Sequence, residues 1–272
     1  MEGDSDIDGL KEESSNSENH IMKIKKILIS QPKPCTEKSP YFDLADKHKV
    51  KLDFKQFIHV EGISGKDFRA TRVNILDHSA VIFTSRTAID HFFRICEEVR
   101  VQVPDTMKYF CNSESIAVYL QKYIVYRKRK IFYGQKRFAD LMDILVKHNG
   151  EKFLVPVSDV HNEDIPKLLA KNKINHTRTV LYKTVSSDLS DLAEIDYDLL
   201  VFYSPSGIAS LLANFPEFKQ GGTKIATFGP STQKAAKEAN LVVNIQVPSP
   251  EFPSMTMALD TFITEENKKA GK

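Results

Sequence analysis

The sequence predicts an α/β protein of two similar parallel-sheet lobes, one of them discontinuous in the chain, joined by paired antiparallel segments. Three observations predict it. Short apolar runs alternate with helical patterns along most of the 272 residues, as expected for parallel strands with helices on both faces. The chain repeats itself, which speaks to architecture before function. Two long extended segments, at about 51–61 and 176–185, stand where the chain must cross between the copies.

Taken in order, residues 26–30 read as a strand and 39–49 as a helix, followed by "KLDFKQFIHVEG" as an extended crossing. Apolar runs at 80–83, 108–111, 130–133 and 152–156 predict strands, with "RFADLMDILVKH" (137–148) as a helix among them. The second crossing, "NHTRTVLYKTVSS", precedes strands expected at 199–203, 224–228 and 242–247. In the repeats, "SAVIFTSRTAIDHFF" matches "DYDLLVFYSPSGIASLL", with Phe83, Ser85 and Ala88 in register with Phe202, Ser204 and Gly207. Next, "KYFCNSESIAVYL" matches "KIATFGPSTQKAAKEA", aligning Asn112 with Gly229, both types that tolerate a left-handed backbone, and Ser115 with Thr232.

A third echo links "KKILISQP" and its helix with "EKFLVPVS" and its helix. This unit comes first in the chain but last in the middle copy, so the outer lobe must be assembled from both ends. The expected division is a disordered acidic tail over 1–20, one lobe from 21–58 with 180–267, and an inserted lobe over 59–179.

Composition narrows the function. A net charge of +2 is nearly balanced, so nothing in the bulk electrostatics calls for nucleic acid or an anionic membrane, and any anion site must be local. No run approaches the roughly 18 apolar residues of a membrane span, and the acidic start lacks a signal-peptide pattern, so a cytoplasmic protein is expected. The "MEGDSDIDGLKEESSNSENH" tail has too little apolar surface to offset its ordering entropy, and "EENKKAGK" is expected to fray. Cys35, Cys96 and Cys111 are odd in number and lack a C-x-x-C spacing, which suits reduced structural thiols in core segments.

The chemistry concentrates at the strand-to-helix turns. In Ser204-Pro205-Ser206-Gly207 a capping hydroxyl and a proline preset for a first turn predict a helix start. Unpaired N–H groups at such a start favour anions, though a plain α/β turn has the same appearance. Metal, nucleotide and hydrolase signatures are missing. The eight histidines are dispersed with no metal-ligand spacing, no G-x-G-x-x-G or Walker pattern follows a strand, and S-P-S-G is not a nucleophile elbow. The basic "YRKRK" run, 126–130, reads as a solvated face.

With "IFTSRTAI", "LYKTV", "VFYSPSGIASL", "IATFGPSTQKAAKEANL" and "VPSPEFPSMTMAL" in this order, nearly the whole chain after the tail resembles uroporphyrinogen-III synthases. The resemblance implies two flavodoxin-like lobes joined by a two-stranded ladder. It also implies a cofactor-free lyase of haem or sirohaem biosynthesis that closes hydroxymethylbilane to uroporphyrinogen III, with inversion of ring D and loss of water. It implies a small-molecule substrate with eight carboxylates, no nucleic-acid or membrane partner, and a monomer. Tyr182 matches the family tyrosine proposed to assist the departing hydroxyl; by itself it also reads as a half-buried strand tyrosine.

On this reading Ser204, Ser206 and Gly207 bind acetate or propionate groups, with Thr84 and Ser85 facing them from the other lobe. Ser113, Ser115, Gly229, Ser231 and Thr232 make the second pair of turns, their hydroxyls serving as caps, carboxylate ligands or both. The chain departs from the family pattern at Thr87, Asn112, Ser115, Val157, Ser158, His161 and Asn162. Those departures keep a second reading in view, a non-catalytic bilobal module that binds a tetrapyrrole or another polyanion.

Overall fold

The computed structural model describes residues 23–36, 38–135, 137–160, 164–192 and 195–270. The expected acidic tail lies outside them, as do His161 and Asn162. In chain order the elements are β1 (Lys26–Ile29), α1 (Pro40–His48), β2 (Lys51–Phe54), β3 (Ile58–Gly62), α2 (Gly65–Ala70), β4 (Ala80–Phe83), α3 (Arg86–Glu98), β5 (Lys108–Cys111) and α4 (Glu114–Tyr119). They continue with β6 (Ile131–Tyr133), α5 (Met142–Lys147), β7 (Phe153–Ser158), α6 (Asp164–Lys171) and β8 (His176–Ser186). The last are β9 (Leu199–Phe202), α7 (Pro205–Asn214), β10 (Lys224–Phe228), α8 (Pro230–Glu238), β11 (Ile245–Val247) and α9 (Met255–Lys269).

The chain divides into two compact units, 1–56 with 190–272 and 57–189. The first is assembled from both ends of the sequence. Its sheet runs β11-β10-β9-β1-β2, all parallel, which read from the other edge is the flavodoxin-like 2-1-3-4-5 order. The central strands read as unbroken apolar runs because helices cover both faces: all four residues of β9 are buried. Pro at the first helical position opens α1, α7 and α8.

The second unit's sheet runs β3-β8-β7-β4-β5-β6. From β8 to β6 the strands are parallel and repeat the first unit's order, with the pair that starts the first unit placed last in sequence. Strand alternation divides the core between two faces. In β4, Val81 and Phe83 join one apolar cluster, and Ala80 and Ile82 the other.

The antiparallel ladder is narrower than the extended segments suggested. Lys51–Phe54 pairs parallel with β1, strand pairing stops over residues 55–57, and only Ile58–Gly62 pairs antiparallel, with Tyr182–Ser186. The first half of β8 pairs parallel with β7, so the ladder continues the second unit's sheet. All of β8 therefore lies in that unit, whereas the sequence reading ended the inserted lobe at 179.

Three local expectations need correction. Residues 137–148 form no single helix, because a 3-10 turn, Phe138–Leu141, leads into the short α5. The C-terminal residues stay helical to Lys269, since Glu266 is buried and Asn267 accepts the Ile24 N–H at 3.2 Å. Cys96 and Cys111 are buried free thiols, and burial pushes both up to about 12. Cys35 is exposed, because it lies in the loop between β1 and α1 and not in a core element.

Candidate active site

Ligands of doubly wound folds bind at the carboxyl ends of the strands, where the predicted residues fall. In the second unit β4 ends at the buried Phe83, and the chain turns through Thr84 and Ser85 into α3. Ser85 takes an extended conformation, φ −152° and ψ 162°, and its Oγ accepts the Ala88 N–H at 3.1 Å. That capping bond consumes one of the orphan donors of the first turn and leaves those of Arg86 and Thr87.

Tyr182 lies at the switch in β8. The register of β7 with β8 shifts between Val157 and Ser158, so that Val180 and then Tyr182 oppose successive residues. The Tyr182 carbonyl accepts the Asp159 N–H at 3.1 Å. Asp159 Oδ1 accepts in turn from the Ser158 hydroxyl and the N–H groups of Val160 and Thr184, at 2.8–3.0 Å. Partial burial opposes ionisation of Asp159, but these donors outweigh it and hold the carboxyl below its ordinary range.

Tyr182 is 9% exposed, and its hydroxyl stands 3.4 Å from Ser85 Oγ. Both residues line one cavity of about 230 Å³ with Thr84, Ser158, His176 and Arg178. Its remaining lining is apolar, from Val155, Val157 and Leu169 among others. An apolar pocket with a few convergent polar groups is the usual form of a small-molecule site. A larger cavity of about 470 Å³ in the same unit contains none of the predicted residues. It includes Met107, Lys130 and Ile131, at the amino ends of β5 and β6, the end of the sheet opposite to ligand binding in this fold.

The turn after β5 holds Ser113 and Ser115, whose hydroxyls are 3.0 Å apart, and Ser113 makes no side-chain cap. In the first unit, Ser204 (φ −152°, ψ 153°) caps α7 by accepting the Gly207 N–H at 3.1 Å. Gly207 is thus occupied as a donor, Pro205 has no N–H, and Ser206 supplies the remaining first-turn amide. Tyr203, before the cap, bonds through its hydroxyl to Tyr41 and stacks on Phe228 at 5.6 Å. Gly229 alone spans β10 to α8, with φ 86°. Ser231 is exposed there, whereas Thr232 is buried at 1%.

The structure brings Thr84, Ser85 and Tyr182 together, with Ser113 and Ser115 at the next turn of the same unit. Ser204, Ser206, Gly207, Gly229, Ser231 and Thr232 occupy the corresponding turns of the other unit. Arg178 and Ser158 line the cavity without having been singled out as ligands. The register shift at Ser158 breaks the alternation between Arg178 and Tyr182, and it has no signature in the sequence.

Asn112 does not share the left-handed backbone of Gly229. Two residues, Asn112 and Ser113, separate β5 from α4 where one separates β10 from α8. Counted from the helix starts, Ser115 therefore corresponds to Ser231, and not to Thr232 as the sequence alignment had it.

The family model of uroporphyrinogen-III synthase HemD matches residues 59–257. No curated protein sequence matches the chain. Among solved structures, uroporphyrinogen-III synthetase from Helicobacter pylori is similar at 15% identity and a TM-score of 0.55, over 89% of this chain and 100% of that one. A mutant uroporphyrinogen III synthase from Thermus thermophilus has 11% identity and a TM-score of 0.48, over 90% and 99% of the two chains. The likeness to the Helicobacter enzyme is one of fold. With the family model spanning well over half of its length, one unit in the 2-1-3-4-5 order and the other in a circular permutation of it, this chain belongs to the uroporphyrinogen-III synthase family.

Proposed function

We propose that this protein cyclises hydroxymethylbilane to uroporphyrinogen III, with inversion of ring D and loss of water, and that Tyr182 acts on the leaving hydroxyl. The observation that carries the residue assignment is the Tyr182 hydroxyl, 3.4 Å from Ser85 Oγ in a cavity with an apolar lining. The Tyr182 O–H donates its proton to the hydroxymethyl oxygen as the C–O bond breaks, and water leaves with the bonding pair. The pyrrole nitrogen lone pair stabilises the carbon cation left behind. The proton released when ring closure restores the last aromatic pyrrole returns to the phenolate, so the net products are the macrocycle and one water.

Spontaneous closure gives the uninverted isomer, so catalysis lies in holding one geometry. Ser85, with the free first-turn amides of Arg86 and Thr87, suits the carboxylates of a pyrrole ring, and Arg178 adds a cation to the same cavity. Ser204 and Ser206 offer a similar but poorer seat in the first unit. Ser113, Ser115, Gly229 and Ser231 are assigned to further carboxylates. The enzyme is taken to work without a cofactor, as a cytoplasmic monomer in haem or sirohaem synthesis. Among the described residues no helix is long and apolar enough to cross a membrane. The test is to supply freshly generated hydroxymethylbilane and resolve the product isomers. Isomer III above the spontaneous background is expected; isomer I alone, at the spontaneous rate, overturns the activity.

A further inference from the structure

A phenol that must deliver a proton in one direction needs its ring held as well as its hydroxyl. The 3.4 Å contact to Ser85 is long and fixes little. The ring is held elsewhere. The imidazole of His91, on α3, stacks on the Tyr182 ring with centroids 5.0 Å apart and planes inclined by 19°. Arg94, one turn further, donates its Nε–H to His91 Nδ1 at 3.2 Å. A guanidinium can only donate, so Nδ1 accepts and the proton of the neutral ring sits on Nε2. Burial, followed by the neighbouring Arg94 charge, lowers the pKa of His91, while Asp90 pulls it the other way.

Arg94 is itself anchored on the ladder. Its Nη2 donates to the carbonyls of Ile63 at 2.8 Å and of Leu181, next to Tyr182, at 3.4 Å, and its Nη1 pairs with Glu98. The ladder residue opposite Tyr182 is Gly62. A Cβ at Gly62 would come within 2.5 Å of Arg94 Nη2, so the absence of a side chain there is what lets the guanidinium lie across the two strands. Gly62, Arg94, His91 and Tyr182 thus form one contiguous stack.

We infer that His91 and Arg94 are positioning residues of this enzyme: anchored on the ladder over Gly62, Arg94 sets the His91 imidazole as a flat neutral wall that aims the Tyr182 phenol at the reacting hydroxyl. The inference rests on the role proposed for Tyr182. A structural role alone would leave the turnover of folded enzyme unchanged. A positioning role lowers kcat, because it acts on a group used in the transition state, and leaves KM nearly alone.

The test is a cycle of variants assayed for isomer III formation, each shown by circular dichroism to be folded at the assay temperature. Tyr182→Phe should lower kcat about 10- to 100-fold, the range for a general acid. His91→Ala should lower it about tenfold with KM within about twofold, His91→Phe should restore most of the rate by keeping a flat ring, and His91→Ala should add no further loss in the Tyr182→Phe background. Gly62→Ala and Arg94→Met attack the same wall from behind and should also lower kcat, so the inference stays exposed even if His91→Ala does not fold. A normal kcat in His91→Ala, or in both Gly62→Ala and Arg94→Met, overturns it, as does a full additional loss in the Tyr182→Phe background. If Tyr182→Phe turns over normally, the role of Tyr182 itself fails; if it is slow while the His91 and Arg94 variants are normal, only the positioning inference falls.

Discussion

The turn after β4 and the turn after β9 are two solutions of one problem, and they differ in what they leave over. Each spends two residues between strand and helix, ends its strand on a fully buried Phe, and caps its helix with a serine at φ −152° and a 3.1 Å bond to the third helical residue. Beyond that they part. Before the cap, Thr84 opens onto a cavity, while Tyr203 is tied to Tyr41. At the first helical position Arg86 keeps an N–H that Pro205 lacks. The second unit's turn keeps an unspent donor beside an open cavity, whereas the first unit's turn is committed more to its own packing. Equal secondary structure therefore does not mean equal chemistry, because the donors of a helix start are shared between caps and ligands.

The comparison can be broken most forcefully at the strand ends. Phe83→Ala and Phe202→Ala should each destabilise their unit by about 3–5 kcal/mol, the cost of emptying a buried aromatic site. Urea unfolding of the two variants measures this, and a cost below about 1 kcal/mol in either one would end the claim that the two turns are structurally equivalent.

The second pair of turns predicts a smaller effect, in which a left-handed residue matters in one unit only. The first unit passes from β10 to α8 through Gly229 alone, at φ 86°, whereas the second uses Asn112 and Ser113 at negative φ. No atom lies within 4 Å of a Cβ built on Gly229, so Gly229→Ala meets backbone strain without a clash and should cost about 1–2 kcal/mol. Asn112→Gly should bring no gain, since no left-handed residue is needed there. Thermal unfolding of both variants decides the matter.

The caps come next. Ser85→Ala and Ser204→Ala should each lose about 1 kcal/mol of stability, equal within error by chemical denaturation. Only Ser85→Ala should also lower kcat, because only Ser85 lines the cavity that holds Tyr182. Equal kinetic losses in both would mean that the first unit's seat matters as much as the second's.

The smallest effect concerns pH. Asp159 clamps the bulge beside Tyr182, and its folded pKa lies below the unfolded value. Its contribution is therefore complete above the unfolded carboxylate pKa, near about 3.9, and is lost as pH falls through the folded value. Asp159 is solvent-exposed, so screening keeps the gain below about 1 kcal/mol. Asp159→Asn should flatten the acid side of the stability profile and leave stability at neutral pH lower by that small amount; an unchanged acid limb would remove the clamp.

By itself the sequence determined the architecture. Apolar runs of strand length, Ser-Pro and Thr-Ser starts, and the displaced third repeat were enough for two units built on parallel strands, one of them assembled from both ends of the chain. Local rules suffice there, because strand burial, caps and proline act over a few residues. The sequence also marked Thr84, Ser85, Ser204 and Tyr182, since hydroxyls at helix starts and a motif tyrosine are local signals.

What only the tertiary structure decided is where non-local pairs meet. The one-residue difference between the turns after β5 and β10 depends on the backbone angle of Gly229, which composition permits but does not impose. The break in strand pairing at residues 55–57, the change of partner along β8 and the bulge at Ser158 follow from how β8 pairs with β3 on one side and β7 on the other. The meeting of Gly62, Arg94, His91 and Tyr182 has the same origin. Each residue reads as ordinary in its own segment, and the stack exists only because antiparallel pairing sets Gly62 opposite Tyr182 and α3 packs across both strands.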